Sequence, residues 1–275
     1  MEIVKRSLDA RKKPQLFYVY MVDVTIPEEE ERKVLKRCHN NQIQKIEPVK
    51  YEFPVKHYEG TERPVIVGMG PGGLFCGLML ARVGARPILL ERGRDVDTRT
   101  EDVAAFWSSG TLLPESNVQF GEGGAGTFSD GKLNTMIHDK TGRIGEVLRT
   151  FVSFGAPEDI LYVNKPHIGT DILINVVQGI RESIIKNGGD VRFNSKLTGL
   201  VTENNTLRAV KVTDEGGEYE LSCSALILAI GHSARDTFEM LEKAGVPMEA
   251  KPFSMGARIE HKQENINLAQ YGESG

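Results

Sequence analysis

The sequence predicts an α/β chain: a domain built on a parallel sheet, carrying a β-meander and preceded by a small α+β unit. Three observations predict it. Residues 65–91 run from an apolar strand through a glycine turn and an apolar helix to a second apolar strand, the βαβ unit that joins parallel neighbours. Residues 171–187 then place Ile172, Val176, Ile180 and Ile184 on one helical stripe. Three strand-like runs follow, "DVRFNSKLTGLVTE", "LRAVKVTD" and "EYELSCSALILAIG", separated by "NN" and "EGG" turns.

"QLFYVYMVDVTI" (15–26) is rich in β-branched and aromatic residues and predicts a strand. "PEEEERKVLKRCHN" (27–40) places a proline first, acids early and Lys36 and Arg37 late, an order that suits the helix dipole. "IQKIEPVKYEFPV" (43–55) reads as extended, with Pro48 and Pro54 marking an edge or linker. "HYEGTERP" (57–64) is a boundary. The βαβ unit resolves into a strand at 65–69, a helix at 72–83 closed by Gly84 and a strand at 86–91. A loop-rich stretch follows, centred on "FGEGGAGTFSDGKL" (120–133). After the meander a helix opens the last region, and "FSMGARIEH" (253–261) reads as a strand. The expected units are 1–58, 62–240 and 241–275. The last ends on "AQYGESG" without an apolar closure, as expected of a chain that stops inside a substrate-side or cap domain.

Composition narrows the function classes. A chain of 275 residues with 40% hydrophobic and 26% charged residues describes an ordinary globular protein. A net charge of -4 gives no reason to expect nucleic-acid binding. Residues 1–60 hold twelve basic and ten acidic residues, so the cluster Lys5, Arg6, Arg11, Lys12 and Lys13 reads first as a solvated face. The three cysteines, Cys38, Cys76 and Cys223, are too far apart for a dithiol motif or a metal cluster. His167, His232 and His261 lack metal-ligand spacing, so no metal is expected. No apolar run reaches membrane-spanning length and the N-terminus has no apolar leader, so the expected setting is cytoplasmic, away from membranes.

The chemistry concentrates in "GMGPGG". Gly68 permits the turn out of the first strand, Gly70 lets backbone approach a diphosphate, and Gly73 lets the helix pack on the sheet. Pro71 and Gly72 open that helix, whose free N–H groups and partial positive charge face an anion. Glu91, 18 residues after Gly73, can accept hydrogen bonds from both hydroxyls of a ribose and would repel a 2′-phosphate. These features fit a Rossmann-like dinucleotide site, and NAD and FAD proteins share them.

Four pieces together favour FAD. The ending Glu91-Arg92-Gly93 resembles the second-strand ending of FAD-containing oxidoreductases of the glutathione-reductase and hydroxylase type. The second glycine loop stands where those enzymes bring backbone N–H groups to the cofactor. Gly124, Ala125, Gly126, Thr127, Ser129 and Lys132 are its candidate contacts. "CSALILAIGHSARD" (223–236) resembles the strand that closes their FAD site. Ala229 and Gly231 keep its pattern, and Ile230 stands where the usual threonine would be. "NSKLTGLV" (194–201) resembles the segment that meets the adenine, with Leu197 the contact. Arg99 either reaches a phosphate or is an exposed helical arginine.

"SLDARKK" (7–13), the loop at 122–133 and "PFSMGARIEH" (252–261) narrow the likeness. The chain resembles bacterial FAD-dependent dehydrogenase-like proteins, and it is similar to their N-terminal half. The resemblance implies a ferredoxin-like domain before the flavin domain, non-covalent FAD and hydride or electron transfer at the flavin N5. NADH or NADPH would be a transient donor, and the small-molecule substrate is undefined. Members continue into a substrate-side domain and return through a late glycine-rich strand. Two readings compete: a non-catalytic flavin-fold module that contacts RNA or a protein partner, and a dehydrogenase that uses NAD alone.

Overall fold

The structure is a computed structural model that describes residues 1–38, 42–128, 131–257 and 259–272. Its centre is a four-stranded parallel sheet made of β3 (Val65–Val67), β4 (Ile88–Leu90), β5 (Asp190–Arg192) and β9 (Leu226–Leu228). The strand order is β5-β4-β3-β9, with all three neighbouring pairs parallel. Helix α2 (Pro71–Arg82) makes the crossover from β3 to β4.

The strand triplets alternate in the side they present. Ile66 and Leu89 pack against helix α2 and against α5 (Thr170–Lys186), through Leu74, Leu78, Val176, Ile180 and Ile184. Val65, Val67, Ile88 and Leu90 point the other way, onto Leu197, Val210 and Val212. Those residues belong to the antiparallel meander β6 (Lys196–Glu203), β7 (Thr206–Asp214) and β8 (Gly217–Ser222). Both faces of the parallel sheet are therefore covered, which explains why its strands read as uninterrupted apolar runs. At Gly77 a Cβ would stand 2.8 Å from Leu89 Cδ2, so α2 lies closer to the sheet than alanine would allow.

The three strand-like runs after α5 become five strands. The first breaks where Asn194 turns with φ of 50°, so β5 stays in the parallel sheet while β6 starts the meander. The last breaks at 223–225, and β9 returns beside β3. The loop-rich stretch also holds two helices that periodicity does not reveal, α3 (Val96–Ser109) and α4 (Arg143–Ser153).

Among the described residues of 1–58, β1 (Glu2–Lys12) and β2 (Gln15–Asp23) form a hairpin, followed by α1 (Glu28–Arg37). Strand β1 is hidden in the sequence because a register shift between Ile3 and Lys5 breaks its alternation. The segment 43–55, expected to be extended, forms no strand among the described residues. The hairpin is tied to the body by Arg6 N–H donating to Tyr162 O and Asn164 N–H donating to Arg6 O.

At the far end, helix α6 (Arg235–Lys243) starts earlier than expected, and α7 (Gln263–Tyr271) follows. The strand expected at 253–261 does not form among its described residues: a strand needs a partner ladder, and none lies beside this segment. No helix among the described residues is long and apolar enough to cross a membrane.

Candidate functional site

The C-terminal ends of β3, β4 and β9 open into a cleft of about 420 Å³, within the range of small-ligand sites. This is where open α/β sheets bind ligands, because loops diverge there and a helix N-terminus faces the gap. Gly68 leaves β3 with φ of +96°, and a Cβ on it would stand 2.5 Å from Ala229 O. A side chain at Gly73 would overlap Gly68 O. The turn is thus held between β9 and α2 at contact distance, and glycine is the residue that fits.

The second glycine loop packs on the first. A Cβ at Gly124, where φ is +67°, would stand 2.9 Å from Gly70 Cα. Gly123 N–H donates to Met69 O at 2.8 Å. Glu91 joins the two loops from below. Its Oε2 accepts from Met69 N–H at 2.7 Å, and its Oε1 accepts from Gly93 N–H at 2.9 Å and Gly121 N–H at 3.0 Å. A carboxylate offers about four acceptor positions, so one is left for a ribose hydroxyl where the sequence predicts two contacts. Glu91 is a clamp for both loops as well as part of the cleft wall.

Most of the residues expected at the site meet there. Gly68, Gly70, Pro71 and Gly72 line the cleft from the first glycine loop, and Gly124, Ala125 and Gly126 line it from the second. Glu91, Arg92, Leu197, Ala229 and Gly231 line it as well. Gly73 sits behind the wall at the helix–strand contact. Thr127 is buried under the loop, and among the described residues its Oγ1 has no hydrogen-bond partner. Lys132 is not among the residues that line the cleft, and its backbone forms an antiparallel β-bridge with that of His167. Ser129 and its neighbour Asp130 fall outside the described residues.

Arg92 closes one end. Its guanidinium takes Asp236 bidentately, both bonds at 2.9 Å, bonds Glu115 at 2.6 Å and stacks 4.1 Å from the centroid of Phe120. The Arg92 fork, helped by Lys196, holds the Asp236 carboxyl well below the usual carboxylate range. Asp236 belongs to α6, which becomes part of the site through this pair.

Arg99 corrects the sequence reading, because it is neither exposed nor on the cleft. It is fully buried in α3, and burial lowers its pKa to about 10. Its guanidinium donates to five main-chain oxygens of the second loop region: Asn117 (2.9 Å), Val118 (3.0 Å), Gly121 (3.3 Å), Glu122 (2.6 Å) and Gly124 (2.9 Å). Nearby Glu122 is also fully buried. Its Oε2 accepts from Val96 N–H at 2.8 Å and from Arg181 at 2.9 Å. Burial pushes its carboxyl up to about 7.

The sequence missed Gln119, Phe120, Gly121, Ser195, Lys196, His232 and Thr237, which also line the cleft. Five of them lie inside the segments 120–133, 194–201 and 223–236 without being named there as contacts, and Gln119 stands next to the first of these. Thr237 directly follows the segment 223–236, and the packing of α6 brings it to the cleft. No group of His, Cys, Asp or Glu among the described residues is arranged to hold a metal ion.

A family model described as a domain of unknown function, DUF8436, matches residues 1–25. An uncharacterized protein of Clostridium beijerinckii is 48% identical over 278 residues, which takes in all of this chain and 50% of the relative. The chain therefore spans about half the length of the curated relative it matches. Likeness to solved structures is partial. Thermovibrio ammonificans THI4 shares 19% identity with a TM-score of 0.44, over 68% of this chain and 64% of that one. A 3-ketosteroid-delta4-(5alpha)-dehydrogenase from Rhodococcus jostii RHA1 shares 15% identity with a TM-score of 0.41, over 71% of this chain and 50% of the other.

Proposed function

We propose that this chain is the FAD-binding part of an oxidoreductase, with FAD held non-covalently in the cleft. The observation that carries the reading is the meeting of two glycine loops at Gly70 and Gly124, at the N-terminus of α2. A dehydrogenase that uses NAD alone needs only the first loop. The free N–H groups at the start of α2 would take the diphosphate, and the missing side chains at Gly70 and Gly124 let it approach. The remaining acceptor position of Glu91 suits a ribose hydroxyl, and its charge disfavours a 2′-phosphate. The wall at Leu197 suits the adenine. Bound FAD would supply two-electron redox chemistry, with the chain contributing orientation and electrostatics.

The finer parts of the reading are proposals of the same kind. NADH or NADPH would be the transient donor, the substrate a small molecule, and the setting cytoplasmic. The N-terminal unit would be a ferredoxin-like domain whose sheet the hairpin begins. An RNA-contacting module is disfavoured by the basic cluster itself. Arg6 lies between the Tyr18 and Tyr162 rings near Asp159, Arg11 pairs with Asp9, and Lys13 reaches Ala269 O.

The test is direct. Purified recombinant chain should be yellow or take up FAD on titration, with released FAD identified by mass. Anaerobic NADH or NADPH should bleach the flavin absorbance. A colourless protein that takes up no FAD would overturn the reading.

A further inference from the structure

We infer that Arg99, buried and out of reach of any ligand, is the positioning residue that makes the second glycine loop an anion-binding surface. The inference rests on the dinucleotide reading of the cleft. It begins with the peptide between Gly124 and Ala125. A trans peptide points its C=O and its N–H in opposite directions. Arg99 holds Gly124 O at 2.9 Å from the buried side. The Ala125 N–H must therefore point away from Arg99, toward the cleft that Gly124, Ala125 and Gly126 line.

Two further features reinforce this. Arg99 also takes the oxygens of Gly121 and Glu122, so the run leading into the wall has its carbonyls turned inward. Those three carbonyls, held on the buried side, do not confront an anion in the cleft. The guanidinium charge lies one peptide behind the Ala125 N–H and polarises that peptide, which strengthens the N–H as a donor. Lysine does not substitute, because its single nitrogen cannot span five oxygens placed around a planar fork. The face of the Phe128 ring, 4.8 Å from the guanidinium carbon, closes the pocket around the group.

The ligand class is a diphosphate, and the probes are ADP and adenosine, which share a base and ribose and differ in the anion. On the unmodified chain, ADP should move the Ala125 amide resonance strongly downfield, whereas adenosine leaves it in place. In R99K and R99M, ADP should bind at least tenfold more weakly while adenosine binding stays within twofold of wild type. If R99M does not fold, R99K and the wild-type amide shift still decide. An Ala125 amide that ADP leaves unmoved while other cleft amides shift overturns the assignment and spares the dinucleotide reading. ADP and adenosine affinities that fall together, or an ADP affinity that does not fall, also overturn it. A wild-type chain in which ADP moves no cleft amide sinks both.

Discussion

Glu122 sits fully buried beneath the second glycine loop, so its titration couples folding to pH. Burial raises its folded pKa from 4.5 to about 7, against the opposing pull of Val96 N–H and Arg181. Between those two values the folded state holds a proton that the unfolded chain releases, so stability falls as pH rises and levels off above about 7. A shift of that size corresponds to about 3 kcal/mol. Urea unfolding at pH 5 and pH 7.5 should show a loss of that order in wild type that Glu122→Gln does not share. Parallel pH dependence in the two proteins would contradict the assignment. The neighbouring Glu91 shows how little of such a role is visible in residue type. Its place after β4 marks it for a ligand, yet three of its acceptor positions serve backbone N–H groups of three separate turns.

At the scale of elements, the glycine turn and α2 were legible because each small residue answers a local steric demand. Helix α3 was not, although its signals are present. Asp95 caps it, accepting from Asp97 N–H at 3.1 Å and Thr98 N–H at 3.2 Å, and Gly110 ends it. What hides α3 is its buried face, which carries Arg99 and Asp102 beside Val96 and Val103, so apolar periodicity fails. Asp95→Ala should cost about 1 kcal/mol of unfolding free energy. Because α3 positions Arg99, the same variant should also weaken ADP binding, measured by calorimetric titration. Unchanged stability would show that α3 does not depend on its cap. The five strands after α5 illustrate the opposite problem. Their β-propensity was plain, but the break at Asn194 that sends β5 and β6 to different sheets depends on which partner each half meets.

For the molecule as a whole, the proposed FAD site would link the two packed loops and the sheet beneath them to one ligand. A ligand that binds only the folded state stabilises it by mass action, about 2.7 kcal/mol at a hundred times its Kd. For a chain of this size each kcal/mol raises Tm by about 2–4 °C. FAD at that excess should therefore raise Tm by about 5 °C or more, read by differential scanning fluorimetry or calorimetry. No shift at saturating FAD would contradict binding to the native fold.

The βαβ unit, the parallel sheet and most of the cleft wall were legible in the chain. Those features rest on local rules: apolar strands, glycines where no Cβ fits and a helix start that faces anions. Only the tertiary structure decided what the buried charges do. Glu91 turned inward to clamp two loops, Arg99 vanished behind the site to aim a peptide at it, and Asp236 joined from a distant helix through Arg92. A charge outside water must find partners wherever the fold puts them, and those partners lie tens of residues away in the chain. Spacing along the sequence cannot name them.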